Sequence, residues 1–176
     1  VKVLKNLWRK RVAALTPGKT APDFALPPMN GSPFSLRQAL SQGPVVAVFF
    51  KISCPVCQFA LPYLERIYQA YGHKSVSIIA ISQNDAKGTA AFVKEYGITF
   101  PVLLENIDDY PVSNAYGLTN VPTTFWIARD GEIEVCSVGW SRPDIEEINR
   151  KIAEAGGEPL MPIFQPNESV PEFRAG

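Results

Sequence analysis

Two hydrophobic patterns alternate along this chain. The unbroken apolar run at 45–50 and the stretch 75–82, with Val76, Ile78, Ile79, Ala80 and Ile81, have the length of buried strands, and 101–104 is a shorter run of the same kind. Between them the apolar positions fall three and four apart. Val56, Phe59, Ala60, Tyr63, Leu64, Ile67, Tyr68 and Tyr71 predict a helix over 55–71 that Gly72 ends. Pro62 lies inside it, where it removes a backbone bond and predicts a kink. Asn84-Asp85 caps a second helix, 86–96, ended by Gly97. A short helix or turn follows at 108–116, and a last helix at 143–155 stops at Gly156-Gly157. The run 121–128 is a strand opening with a proline, joined through the turn 129–132 to a paired strand at 133–138. Upstream, Asn30-Gly31 predicts a short hairpin, and Ser35 caps a small helix at 36–40. The order β-α-β-α-β-α-β-β-α is a crossover part followed by a hairpin, an α/β arrangement.

The pattern weakens at both ends. Leu4, Leu7, Trp8, Val12 and Leu15 recur at helical spacing among Lys2, Lys5, Arg9, Lys10 and Arg11, so 1–16 reads as a basic amphipathic helix. Packing against the domain is the favoured reading, with contact to a membrane surface as the alternative. The central domain spans 17–157. The stretch 158–176 carries Pro159, Pro162, Pro166 and Pro171 and reads as extended or disordered, with a course laid over the domain as an alternative; a loose terminus is favoured over a partner-binding or lid segment.

Composition narrows the function classes. The chain has 176 residues, of which 46% are hydrophobic, enough for one domain with its own core. Its formal net charge is zero, which supplies no argument for a nucleic-acid partner. No apolar run approaches the roughly 18 residues of a membrane span. Three cysteines suit one pair plus a lone thiol better than a disulfide-stapled scaffold. The chain begins at Val1, so a segment upstream is conceivable, but none can be read from these residues.

The pair is Cys54-Pro55-Val56-Cys57, set between the strand 45–50 and the helix 55–71. A cysteine at a helix mouth meets free N–H groups and the positive end of the helix dipole, which favour thiolate. Such placement moves a thiol pKa from about 8.5 into the range of roughly 3.5–7.5. Cys54 is then the nucleophile, and Cys57, one turn in, the resolving thiol. Half of a zinc site is the competing reading, and it needs about four ligands. His73, the only histidine, lies sixteen residues beyond Cys57. At about 1.5 Å per helical residue that is ~24 Å away. Three cysteines without it make a poor zinc site, so no metal is expected. Cys136 reads as a small core filler on the strand face opposite Val135. Lys51, three residues before Cys54, either tunes the Cys54 thiolate or faces solvent. Val121-Pro122 opens a strand with a residue that cannot donate to the ladder. A cis peptide facing an approaching group would explain it, and a trans proline starting the strand is the alternative.

Taken together, Pro17-Gly18-Lys19-Thr20-Ala21-Pro22-Asp23-Phe24, Cys54-Pro55-Val56-Cys57, Pro62, and Val121-Pro122-Thr123-Thr124-Phe125 followed by Asp130-Gly131 resemble the TlpA/ResA-like proteins. These lie within the redoxin (AhpC/TSA-like) superfamily, and the likeness runs from about residue 17 to 155. The resemblance implies a thioredoxin fold: a central mixed sheet flanked by helices, here with an N-terminal helix and hairpin extension. It implies a thiol-disulfide oxidoreductase needing no cofactor beyond the Cys54–Cys57 disulfide. Pro122 would be cis and face the pair as a substrate platform. Val121 would pair with an extended substrate chain, and Pro55 and Val56 would lie at the same surface. The partners would be protein thiols and disulfides and a protein that donates or accepts electrons, with the reductase direction mildly favoured. A bacterial exported or membrane-tethered protein is slightly favoured over a cytoplasmic one.

The chain departs from the family in three places. Ser53 stands where Trp is usual, Val48 where thioredoxins keep a buried Asp, and Ala60 where ResA-like proteins often carry Glu. Deprotonation of Cys57 then falls to water, substrate or a group not identified. Glu65, eight residues after Cys57, reads as too far along the helix to serve. Two alternatives on this fold remain for comparison. A peroxiredoxin-like peroxidase would need Pro seven and Thr or Ser three residues before its cysteine. This chain has Ala47 and Lys51 before Cys54, and Phe50 and Cys54 before Cys57. A copper chaperone would need Cys-x-x-x-Cys and a distant loop histidine, which are missing.

Overall fold

The computed structural model describes residues 14–72 and 74–176. The expected helix over 1–16 lies almost wholly outside the described residues, as does His73. Asn30-Gly31 does form a hairpin, with β1 (Ala25–Leu26) antiparallel to β2 (Phe34–Ser35). Ser35 caps α1 (Leu36–Gln42) by accepting the Gln38 N–H. Then come β3 (Val45–Phe50), α2 (Pro55–Tyr71), β4 (Ser77–Ser82), α3 (Ala86–Tyr96), β5 (Val102–Leu104) and α4 (Pro111–Ala115). The hairpin β6 (Thr123–Ile127) and β7 (Ile133–Val138) follows, then β8 (Trp140–Ser141), α5 (Arg142–Gly156) and β9 (Phe173–Arg174).

The central sheet has five strands in the order β5-β4-β3-β6-β7, with β3, β4 and β5 parallel and β6 and β7 antiparallel to their neighbours. This is the mixed sheet that the resemblance implies. Strand β3 lies at its centre, and all six of its residues are buried. Alternation divides them: Val46, Val48 and Phe50 face the layer of α2, α3 and α5, packing with Leu61, Phe92 and Ile148. Val45, Ala47 and Phe49 face the N-terminal hairpin, α1 and α4, packing with Leu36, Val112 and Tyr116.

Local differences from the sequence reading have local causes. Helix α2 has the expected bounds, with Pro62 inside it. Helix α4 is shorter than 108–116 because Tyr110 has a positive φ of 47°, which a helix cannot contain. Its helical turn therefore begins at Pro111, whose fixed φ suits a first position. Asp85 alone caps α3, and Asn84 is used elsewhere.

For the tail, the structure takes the alternative reading, a course laid over the domain, and corrects the favoured one of a loose terminus. Instead of running loose, 158–176 lies along the layer of α2 and α5. Ile163 is buried, and Arg66 forks onto Glu168 with Nη1–Oε2 and Nη2–Oε1 distances of 2.8 and 2.6 Å. The Trp140 indole N–H donates to the Pro171 carbonyl at 2.7 Å, and β9 pairs antiparallel with β8. Proline-rich composition excludes helix, but an extended chain still docks where aromatic rings and strand edges receive it.

Candidate active site

The site is built at the carboxyl end of β3, where the chain leaves the sheet and turns into α2. The turn is held from two sides. The Ile52 N–H donates to Asn84 Oδ1 at 2.9 Å, and Gln58 Nε2 donates to the Ile52 carbonyl at 2.9 Å. Gly88 lets α3 approach, since a Cβ there would lie 2.9 Å from Ile52 Cδ1. None of these three residues is singled out by the sequence, where Asn84 reads only as a helix cap.

Cys54 is the N-cap of α2, with Pro55 opening the helix. Its sulfur accepts the Cys57 N–H at 3.2 Å. This is one of the N–H groups that a helix start leaves without an internal partner, and such a donor stabilises negative charge on sulfur. On its other side the Cys54 thiol donates to the Val121 carbonyl at 3.3 Å. The Val121–Pro122 peptide is cis, as the resemblance implies. The Cys-x-x-Cys segment and the proline loop, 67 residues apart in sequence, therefore meet at one sulfur atom.

Cys57 is fully buried while Cys54 is partly exposed. Val48 and Ala60 belong to the same apolar cluster as Cys57, so the two positions where the resemblance leads one to expect acids are packed with hydrocarbon. That burial pushes the Cys57 thiol well above its ordinary pKa. Its hydrogen bond with Cys54 adds to the rise, and the Lys51 backbone amide partly offsets it. The two sulfurs thus have different surroundings within one helical turn.

The remaining candidates are placed as follows. Pro55 is exposed and Val56 partly buried, both at the first turn beside Cys54. Lys51 is exposed, and its Nζ lies 5.9 Å from the centre of the Tyr110 ring. The lysine borders a hollow of about 190 Å³ with Gln83, Asn120 and Val121. Glu65 accepts from the Thr99 backbone N–H at 2.8 Å and from its hydroxyl, tying α2 to the segment before β5. Its carboxylate is engaged there rather than at the cysteines. A buried carboxylate, Glu105, is taken up by the Ser113 N–H and hydroxyl at 2.6 and 2.5 Å. Cys136 packs on the opposite face of the sheet, in the cluster of Phe49 and Phe125, while Val135 points toward the Cys57 side.

Comparison with known proteins agrees with this architecture. The model of the AhpC/TSA family matches residues 17–136. The thiol-disulfide oxidoreductase ResA of Geobacillus thermodenitrificans is 32% identical over 147 residues, covering 82% of each chain. ResA of Halalkalibacterium halodurans is 33% identical over 133 residues, 74% of each chain. Among solved structures, a putative protein disulfide isomerase from Bacteroides thetaiotaomicron superposes with a TM-score of 0.74 at 21% identity, over 83% of this chain and 95% of that one. A putative thiol:disulfide interchange protein DsbE from Chlorobium tepidum gives 0.70 at 25% identity, over 81% and 99%. With the fold, the paired cysteines and these relatives in agreement, the chain belongs to the AhpC/TSA family and is a ResA-like thiol-disulfide oxidoreductase of thioredoxin fold.

Proposed function

We propose that the chain reduces disulfides in protein substrates, with Cys54 as nucleophile and Cys57 as resolving thiol. The observation that carries this reading is the asymmetry of the pair. Cys54 is reachable and receives the Cys57 N–H, and Cys57 is buried among hydrocarbon. Cys54 thiolate attacks one substrate sulfur, the substrate S–S bond breaks, and one substrate thiolate leaves. Cys57 then gives up its proton and attacks Cys54 Sγ, releasing the second substrate thiolate. The net change moves two electrons and two protons to the substrate and leaves a Cys54–Cys57 disulfide. A partner protein dithiol restores the pair, so no bound cofactor takes part.

Pro122 and Val121 act as the platform in this reading. An extended substrate chain lies against the proline loop and pairs with the Val121 backbone, as strand addition does elsewhere. Pro55 and Val56 contact the same segment from the helix side. Because Val48 and Ala60 supply no base, Cys57 loses its proton to water or to the departing substrate thiolate. Lys51 has a minor part, since its ammonium lies near the face of Tyr110.

Insulin-disulfide reduction with Cys54→Ser and Cys57→Ser variants tests the assignment. Cys54→Ser abolishes turnover, and Cys57→Ser accumulates a mixed disulfide through Cys54. A Cys54→Ser variant that keeps the parent rate would overturn it. The direction is tested by the potential of the pair in glutathione buffers. A value near or below about −250 mV supports the reductase, and one near about −120 mV identifies an oxidant instead.

A further inference from the structure

The tail reaches the platform itself. After β9 pairs with β8, residues 174–176 pass over Gly139 and reach Val121. Gly139 has a φ of 75°, and a Cβ on it would lie 2.4 Å from the Arg174 carbonyl oxygen and 2.9 Å from the Gly176 nitrogen. A Cβ on Gly176 would lie 2.4 Å from the Val121 carbonyl oxygen. Two glycines are therefore needed where the tail crosses. The Asn120 amide donates to the Gly176 carbonyl at 3.0 Å, and the Arg174 guanidinium lies 4.3 Å from the centre of the Phe59 ring, on the first turns of α2. The carbonyl contacted by Gly176 is the one that accepts the Cys54 thiol.

We propose that residues 173–176 are a strap seated as an extended strand on the platform that a protein substrate uses, so that protein substrates must displace it and small disulfides need not. The proposal rests on the reading of Val121 as the substrate-pairing residue. Two chains cannot occupy the space against one backbone carbonyl, so the strap competes with any partner that adds a strand there. Its anchorage suits reversible release. Upstream, Ile163, the Arg66–Glu168 fork and the Trp140–Pro171 hydrogen bond hold the tail to the domain. Beyond Glu172 the strap has a short strand pairing, one amide hydrogen bond and one cation-aromatic contact. Phe173 is 61% exposed, so no buried side chain locks the strap in place.

The test compares the full chain with a chain ending at Glu172, which keeps the Pro171 and Glu172 carbonyl contacts. For insulin reduction the shortened chain is expected to show a KM at least threefold lower, with the rate on glutathione disulfide unchanged within twofold. Arg174→Ala in the full chain is expected to move the insulin KM the same way by a smaller factor, without any change of chain length. An insulin KM that is equal or higher in the shortened chain overturns the strap, the second result making these residues part of the binding wall. Failure of the redox reading is distinguishable, because neither chain would then reduce insulin. Amide hydrogen exchange judges the strap in that event. Slowed exchange at 173–176 supports it, and unprotected amides at 173–176 overturn it.

Discussion

The chain carries thiols on both faces of one sheet, and the two regions differ in what surrounds the sulfur. At the Cys54–Cys57 end, a helix start supplies an N–H, a proline loop supplies a carbonyl, and solvent reaches one of the two sulfurs. At Cys136 the thiol packs against Phe125 and its neighbours in a partly buried apolar setting. Burial holds it as a thiol, with its pKa pushed up to about 11. A cysteine becomes reactive through donors and access, and both come from where secondary structures end. Cys136 lies in the middle of a strand, with no helix start beside it to supply a free N–H.

The sharpest way to break this comparison is mutation of each thiol. Cys54→Ser is expected to lower insulin reduction by roughly a thousandfold or more, as loss of a nucleophile does elsewhere. Cys136→Ala is expected to stay within about twofold of the parent. A large loss of turnover in a folded Cys136→Ala protein would give the opposite face a part in the chemistry.

The second test concerns the hydrocarbon around Cys57. Ala60→Glu places a carboxylate in that cluster and is expected to move the rise of the pH–rate profile down by about one unit, with Ala60→Gln as the size-matched control. Coincident profiles for the two variants would show that apolar packing does not set the second step.

Stability against pH gives the third test. Cys57 and Cys136 both have folded pKa values raised above the ordinary value of 9.0. Each therefore contributes stability that is intact below pH 9.0 and is lost as the pH climbs toward the folded value. Above pH 9 the unfolded chain binds fewer protons than the folded one, so the slope is negative, about −1.4 kcal/mol per pH unit for each thiol fully held protonated. Urea melts of the reduced protein between pH 8 and 11 should show the decline, and Cys136→Ala should make it shallower. A flat profile would contradict the burial argument for both thiols.

The smallest effect is assigned to Lys51. With its ammonium near Tyr110, Lys51→Met is expected to change the alkylation rate of Cys54 at pH 7 by less than about twofold. A tenfold fall would return the lysine to the site.

Much of this was legible because the relevant forces are local. Strand β3, helices α2 and α3 and the final hairpin follow from periodicity, caps and turn residues, which act within a few positions. The Cys-x-x-Cys pair was legible for the same reason, since its activation comes from the helix start that Pro55 and the following apolar spacing announce. The proline loop was legible as an anomaly, a non-donor at the start of a central strand, and only the family resemblance pointed to the cysteine pair as its partner.

What only the tertiary structure decided are the contacts between segments far apart in the chain. Asn84 holding the Ile52 amide, Val121 meeting Cys54, and Val48, Ala60 and Cys57 sharing one apolar cluster all join residues whose spacing carries no pattern. The tail shows this most plainly. Its composition determined that it would be extended and non-helical, because proline fixes φ and lacks an N–H. Whether an extended segment docks depends on the receiving surface, here Trp140, Arg66, Gly139 and Val121 from two separate elements and two loops. Local sequence set the conformation of residues 158–176, and the assembled fold set their position over the site.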